Sequence, residues 1–68
     1  MTQNEMVLEY MKTFGSITPA EAYEQLGIMR LPARVHELRK AGYNIVTERV
    51  SKRKWYGKIV TFARYRLV

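Results

Sequence analysis

The side chains able to do chemistry in this sequence are cations and aromatics, gathered in two clusters. The first is Arg30, Arg34, Arg39 and Lys40, with His36 among them, in RLPARVHELRK. The second is Lys52, Arg53, Lys54 and Lys58 around Trp55 and Tyr56, in SKRKWYGK. Such groups suit a polyanion. Lys and Arg neutralise phosphates and release condensed counterions. Arg pairs with the guanine edge, and aromatic rings lie along sugars or stack on unpaired bases. Catalysis, by contrast, lacks parts. His36 is the only histidine, and there is no Cys and no Asp. A zinc site needs several N, S or O ligands. No Ser stands beside a histidine base, and no Gly-rich phosphate loop occurs. His36 reads as a helix-flank residue. The expectation is a protein that is not an enzyme, with no catalytic residue, metal or cofactor.

The charge is polarised along the chain. Residues 1–27 set Lys12 against Glu5, Glu9, Glu21 and Glu24, a net of −3. Residues 28–68 set eleven Lys and Arg against Glu37 and Glu48, a net of +9. A chain so divided suggests one face turned to a polyanion. At 68 residues it is a single domain, 1–68, with a thin core. The absence of cysteine rules out a disulfide framework and fits an intracellular setting. No apolar run approaches the roughly 20 residues of a membrane span, and MTQNEMVLEY does not read as a signal peptide.

Five elements must position the two clusters. Thr2 with Glu5 forms a capping box that opens a first helix, whose buried face reads as Val7, Tyr10, Met11 and Phe14, and Gly15 ends it. Ser16-Ile17 is a brief extended link that could add a short strand. Thr18-Pro19-Ala20-Glu21 is a second capping box, opening a helix over Pro19 to Leu26 with Ala22, Tyr23 and Leu26 inward. Gly27-Ile28-Met29 turns into a third helix, which has Pro32 near its start. Leu31, Val35 and Leu38 form its apolar stripe, and Gly42 ends it. Two helices joined by about three residues with Gly in the turn carry the helix-turn-helix signature. Its short-turn form places a small residue and an aliphatic one where this chain has Tyr23 and Ala33, so a longer turn with Ile28 and Leu31 packing inward fits better. After Gly42 the period changes to 2. Tyr43, Ile45, Thr47 and Arg49 alternate with Asn44, Val46, Glu48 and Val50. A second strand runs from about Lys58 to Leu67, and Ser51 to Gly57 is the loop between. Ile45 then lies near Tyr65 and Thr47 near Ala63. Tyr43, Ile45, Tyr65 and Leu67 pack on the helices, and Arg64 and Arg66 stand solvated on the outer face.

Helix, short strand, two helices and a C-terminal β-hairpin make an α+β, winged helix-turn-helix arrangement. The chain also resembles, over nearly its whole length, the small winged helix-turn-helix proteins of bacteriophages and prophages. The residues that carry this are Ile17-Thr18, Arg30-Leu31, Ala33-Arg34-Val35, Glu37-Leu38-Arg39-Lys40, Gly42-Tyr43 and the terminal Ala63-Arg64-Tyr65-Arg66-Leu67. The resemblance implies a DNA-binding fold.

The expected function is sequence-specific double-stranded DNA binding, as a transcriptional regulator or DNA-transaction accessory factor in the cytoplasm of a bacterial or phage-infected cell. The helix over 31–41 enters the major groove with Arg30, Pro32, Ala33, Arg34, Glu37 and Lys40. Ala33 suits a thymine methyl, Arg30 or Arg34 a guanine, and Glu37 either a cytosine or a neighbouring cation on its own helix. Lys52, Arg53, Lys54 and Lys58 take phosphates. Trp55 and Tyr56 either contact DNA or, for Trp55, fold back on Val50 or Ile59 as a clasp. Thr18 caps its helix and offers a phosphate site. One short helix reads one half-site, so a homodimer or tandem binding is expected, with Val50, Val60 and Phe62 as the candidate dimer surface. Two other readings stay open. One is a protein-interaction module for a host protein, anchored by Trp55, Tyr56, Val60 and Phe62. The other is a single-stranded nucleic-acid binder. No membrane partner is expected.

Overall fold

The computed structural model describes residues 1–68. Helix α1 spans Gln3–Phe14, strand β1 Ser16–Ile17, helix α2 Pro19–Leu26, helix α3 Leu31–Lys40, strand β2 Ile45–Arg53 and strand β3 Ile59–Leu67. Both capping boxes close. Thr2 Oγ1 accepts from the Glu5 N–H at 3.1 Å, while Glu5 accepts from the Thr2 N–H at 2.9 Å. Thr18 and Glu21 repeat the exchange at 3.2 and 2.9 Å. Because its carboxylate accepts that backbone N–H and then the Thr2 hydroxyl, Glu5 is held below the ordinary carboxylate range. Gly27, at φ +68°, ends α2 in the left-handed conformation that glycine reaches without strain. The turn it begins buries Ile28 and Leu31, as the longer-turn reading requires.

The three strands form one antiparallel sheet in the order β1-β3-β2. Its inner face meets the helices through Ile17, Ile45 and Tyr65, which join Val7, Leu8, Met11, Ala22, Ile28, Leu31, Val35 and Leu38 in the core. No residue from 46 to 64 is fully buried. The hairpin therefore runs out beyond the helices, and the molecule is 40 Å long but only 22 by 20 Å across.

Several side chains sit differently from the sequence expectation. Leu8, not Phe14, completes the buried stripe of α1; Phe14 is 67% exposed at the helix end and stacks back on Tyr10 at a centroid distance of 4.5 Å. Tyr10 is only partly buried. Helix α2 has two turns and seats itself through Ala22 and Leu26, which leaves Tyr23 exposed. Tyr43 is exposed and lies outside the sheet. Its N–H bonds to Leu38 O and that of Gly42 to Arg39 O, a pair of contacts that closes α3 and delays the strand to Ile45. The pairing is shifted by two residues, with Ile45 opposite Leu67 and Thr47 opposite Tyr65. A shift of two preserves which face each residue occupies, so the inward set survives apart from Tyr43. Strand β2 extends further than expected, to Arg53, while β3 begins at Ile59, so the loop moves from residues 51–57 to the shorter 54–58. Ser51, bonded to Thr61 at 3.2 Å through their hydroxyls, lies in the added part of β2.

Candidate nucleic-acid interface

Helix α3 turns its Leu31–Val35–Leu38 stripe inward and leaves Arg30, Pro32, His36, Glu37 and Lys40 exposed, with Ala33 and Arg34 half-buried. Arg34 and Glu37 form an ion pair at 2.9 Å, one turn apart on the helix. Of the two roles open to Glu37, the structure therefore shows the neighbouring cation. The ion pair engages Arg34 through Nη2, while its Nε is buried without a hydrogen-bond partner. The free cations of the helix are Arg30 and Lys40, about 15 Å apart at 1.5 Å per residue.

Arg39 has a role the sequence did not reveal. Its guanidinium donates to Ile45 O at 3.0 and 2.7 Å and to Thr47 Oγ1 at 2.9 Å. It fastens the last turn of α3 to the first residues of β2 and so sets the angle between helix and hairpin. Thr47 faces the helices, and two residues on along the same face comes Arg49, exposed and without an ion pair. Arg49 was not among the expected site residues. The strand alternation that placed it beside Thr47 was the signal for it. Opposite it stands Ala63, which offers no acid.

On the outer face the opposite holds. Glu48 accepts from Arg64 Nε at 3.0 Å and Arg66 Nη2 at 3.1 Å, so those two arginines are paired and not simply solvated. The hydrogen bonds from Arg66 and then Arg64 hold the Glu48 carboxyl below its ordinary range. Pairing thus removes Arg34, Arg64 and Arg66 from the free charge. What remains unpaired concentrates at the ends of α3 and along residues 49–58, where Arg49, Lys52, Arg53, Lys54 and Lys58 occur with no carboxylate.

The order of elements, the exposed side of α3 opposite its apolar stripe and the protruding basic hairpin point to one family. Residues 2–68 match the family profile described as the winged helix-turn-helix domain. The chain belongs to the winged helix-turn-helix family. Comparison with curated proteins and with solved structures gave no match in either case. In the terms of this family the β2–β3 hairpin is the wing, and α3 is the second helix of the helix-turn-helix.

The wing tip is open. Trp55 is 95% exposed and does not fold back on Val50 or Ile59; it meets Tyr56 edge to face at 5.4 Å. Thr18 opens α2. Its hydroxyl and N–H are both occupied by Glu21, and Pro19 has no N–H to give. Beside it, Thr18, Pro19, Ala20 and Glu21 face Lys52, Lys54, Val60 and Phe62 across a groove of about 510 Å³. No group of three or more His, Cys, Asp or Glu that could hold a metal is present. No helix is long and apolar enough to cross a membrane.

Proposed function

We propose that this winged helix binds double-stranded DNA in a sequence-specific manner, as a phage- or prophage-type transcriptional regulator or an accessory factor in DNA transactions. The observation that carries the reading is the segregation of charge. Every carboxylate near α3 or the outer sheet is paired, while the five cations of residues 49–58 have none. In this reading α3, about 10–12 Å across, lies in a major groove about 12 Å wide. Arg30, Pro32, Ala33, Glu37 and Lys40 face the bases and the flanking phosphates, with Arg34 available once a base displaces Glu37. Arg49, Lys52, Arg53, Lys54 and Lys58 take phosphates along the adjoining backbone. Like charges in a hairpin repel, and phosphates relieve that repulsion.

The test is binding to a short random-sequence duplex and to its separate strands across a salt series, followed by selection from a randomised duplex pool. Duplex binding with a steep salt slope and an enriched motif is the expected result. Preference for the single strands, or no binding to either at low salt, overturns it. A protein partner is the second reading, favoured by the groove beside Val60 and Phe62, which also holds two of the residues suited to a dimer contact. A nuclease-resistant complex with one host protein would select that reading.

A further inference from the structure

The tip of the wing is a tight turn over Lys54 to Gly57 whose two corner positions are Trp55 and Tyr56. The Gly57 N–H donates to Lys54 O at 2.9 Å and the Lys54 N–H to Lys58 O at 2.7 Å, with Gly57 at φ +95°. Corners of such turns favour Pro, Asp, Asn, Ser or Gly, which set the backbone or bond to it locally. Here both corners are aromatic, and the turn holds them off the end of the hairpin. Trp55 at 95% exposure forgoes the burial that an indole ordinarily gains. The T-shaped contact with Tyr56, at 83° between planes, braces the indole and leaves its faces open. Around the pair are Arg53, Lys54 and Lys58, and the nearest acid along the hairpin, Glu48, is held by Arg64 and Arg66.

From this geometry we infer that the Trp55–Tyr56 pair is a stacking wedge. The DNA that the wing takes best is a duplex with an unpaired or readily unstacked base within reach of the tip. The inference rests on the DNA-binding reading and deepens it. Cations on the flanks hold phosphates, and an open ring face at the apex gains from stacking on another ring face, which a base supplies. In a perfect duplex the neighbouring bases already cover each other, so insertion must first unstack a step. A bulged or mismatched base has met that cost beforehand. An anionic membrane surface also attracts a basic aromatic tip. DNA is favoured because the cations continue from the tip down β2 through Arg53 to Arg49, toward the strand end that Arg39 fastens to α3.

Trp55 is the only tryptophan, so its emission reports on the tip alone. The full chain is titrated at low salt with a short duplex and with the same duplex carrying one unpaired central adenine. Binding is followed by anisotropy of end-labelled DNA, and emission with unlabelled DNA. The bulged duplex is expected to bind about five- to tenfold more tightly, with Trp55 quenched and shielded from acrylamide. Trp55→Ala is expected to abolish the preference and Trp55→Phe to keep most of it. Both variants should keep the wild-type circular dichroism, because the indole packs on nothing in the core. Equal binding of both duplexes with unmoved emission overturns the wedge and leaves DNA binding standing. No binding to either overturns both. A blue shift with phosphatidylserine vesicles and none with DNA also overturns the wedge, assigning the tip to membranes.

Discussion

The body and the wing are built on opposite terms. All eleven fully buried residues lie between Val7 and Ile45 or at Tyr65, and α1 and α2 open in capping boxes and the body's carboxylates are largely engaged. Residues 49–58 bury no side chain fully, carry five cations without an acid and end in two exposed rings. Stability resides in the first region, and the second is held by strand pairing, by side-chain bonds across the hairpin and by Arg39 at its base. The difference teaches that the wing is kept for what it meets, since nothing inside the molecule needs its charge. Changes in the body should therefore move stability, and changes in the wing should move binding.

The largest effect should come from Leu31→Ala in the body. Leu31 is 1% exposed, and removing a buried leucine side chain costs about 2–5 kcal/mol, close to the whole stability of a small domain. Thermal unfolding by circular dichroism should shift far down or vanish, and DNA binding should go with it.

Changing Lys52, Arg53 and Lys54 together to Ala should do the reverse. Duplex affinity at low salt should fall about ten- to one-hundredfold, and the slope of log affinity against log salt by about 2 to 3, one per lost phosphate contact. The melting curve should stay within about 0.5 kcal/mol of wild type, as expected for exposed sites. If it collapsed instead, the separation of the two regions would be wrong.

Arg39→Ala tests the joint between them. Losing the bonds to Ile45 O and Thr47 should cost about 1–2 kcal/mol of stability. It should also weaken duplex binding although Arg39 is not placed on the DNA, because the angle of the wing is no longer fixed. Arg39→Lys keeps the charge but cannot reproduce the forked contact, so it should recover little.

The smallest effect concerns Glu48. Its folded pKa lies below the ordinary glutamate value of 4.5, through the bonds from Arg66 and Arg64. A lowered folded pKa contributes stability that is present above about 4.5 and is lost as pH falls through the folded value. The wild-type protein should therefore lose hairpin stability over that window relative to Glu48→Gln. The two should converge once Glu48 is protonated, which an acid titration followed by circular dichroism will show.

Much of the body was legible in the sequence because its signals are local. Two capping boxes, the spacing of Leu31, Val35 and Leu38 and the change of period after Gly42 each act within a few residues. What was missed depends on three-dimensional neighbours. Phe14 and Tyr23 fit the helical period, but only packing decides that Leu8 goes inside α1 in place of Phe14 and that Ala22 and Leu26 seat α2 without Tyr23. The two-residue shift in strand pairing is invisible to alternation, which it leaves intact. The pairing of Arg34 with Glu37, of Arg64 and Arg66 with Glu48, and of Arg39 with a backbone carbonyl sorts cations that look alike in the chain into spent and free. Arg49 stood out only after that sorting.

The most direct measurement is a ¹H–¹⁵N correlation spectrum of the labelled protein titrated with duplex DNA. The amides that shift should be those of Arg30 to Lys40 on the exposed side of α3 and of Arg49 to Lys58 in the wing, while those of α1 stay still. Shifts centred on α1, or on the outer face around Glu48, Arg64 and Arg66 with the wing silent, would contradict the assignment of stability to the body and binding to the helix and wing.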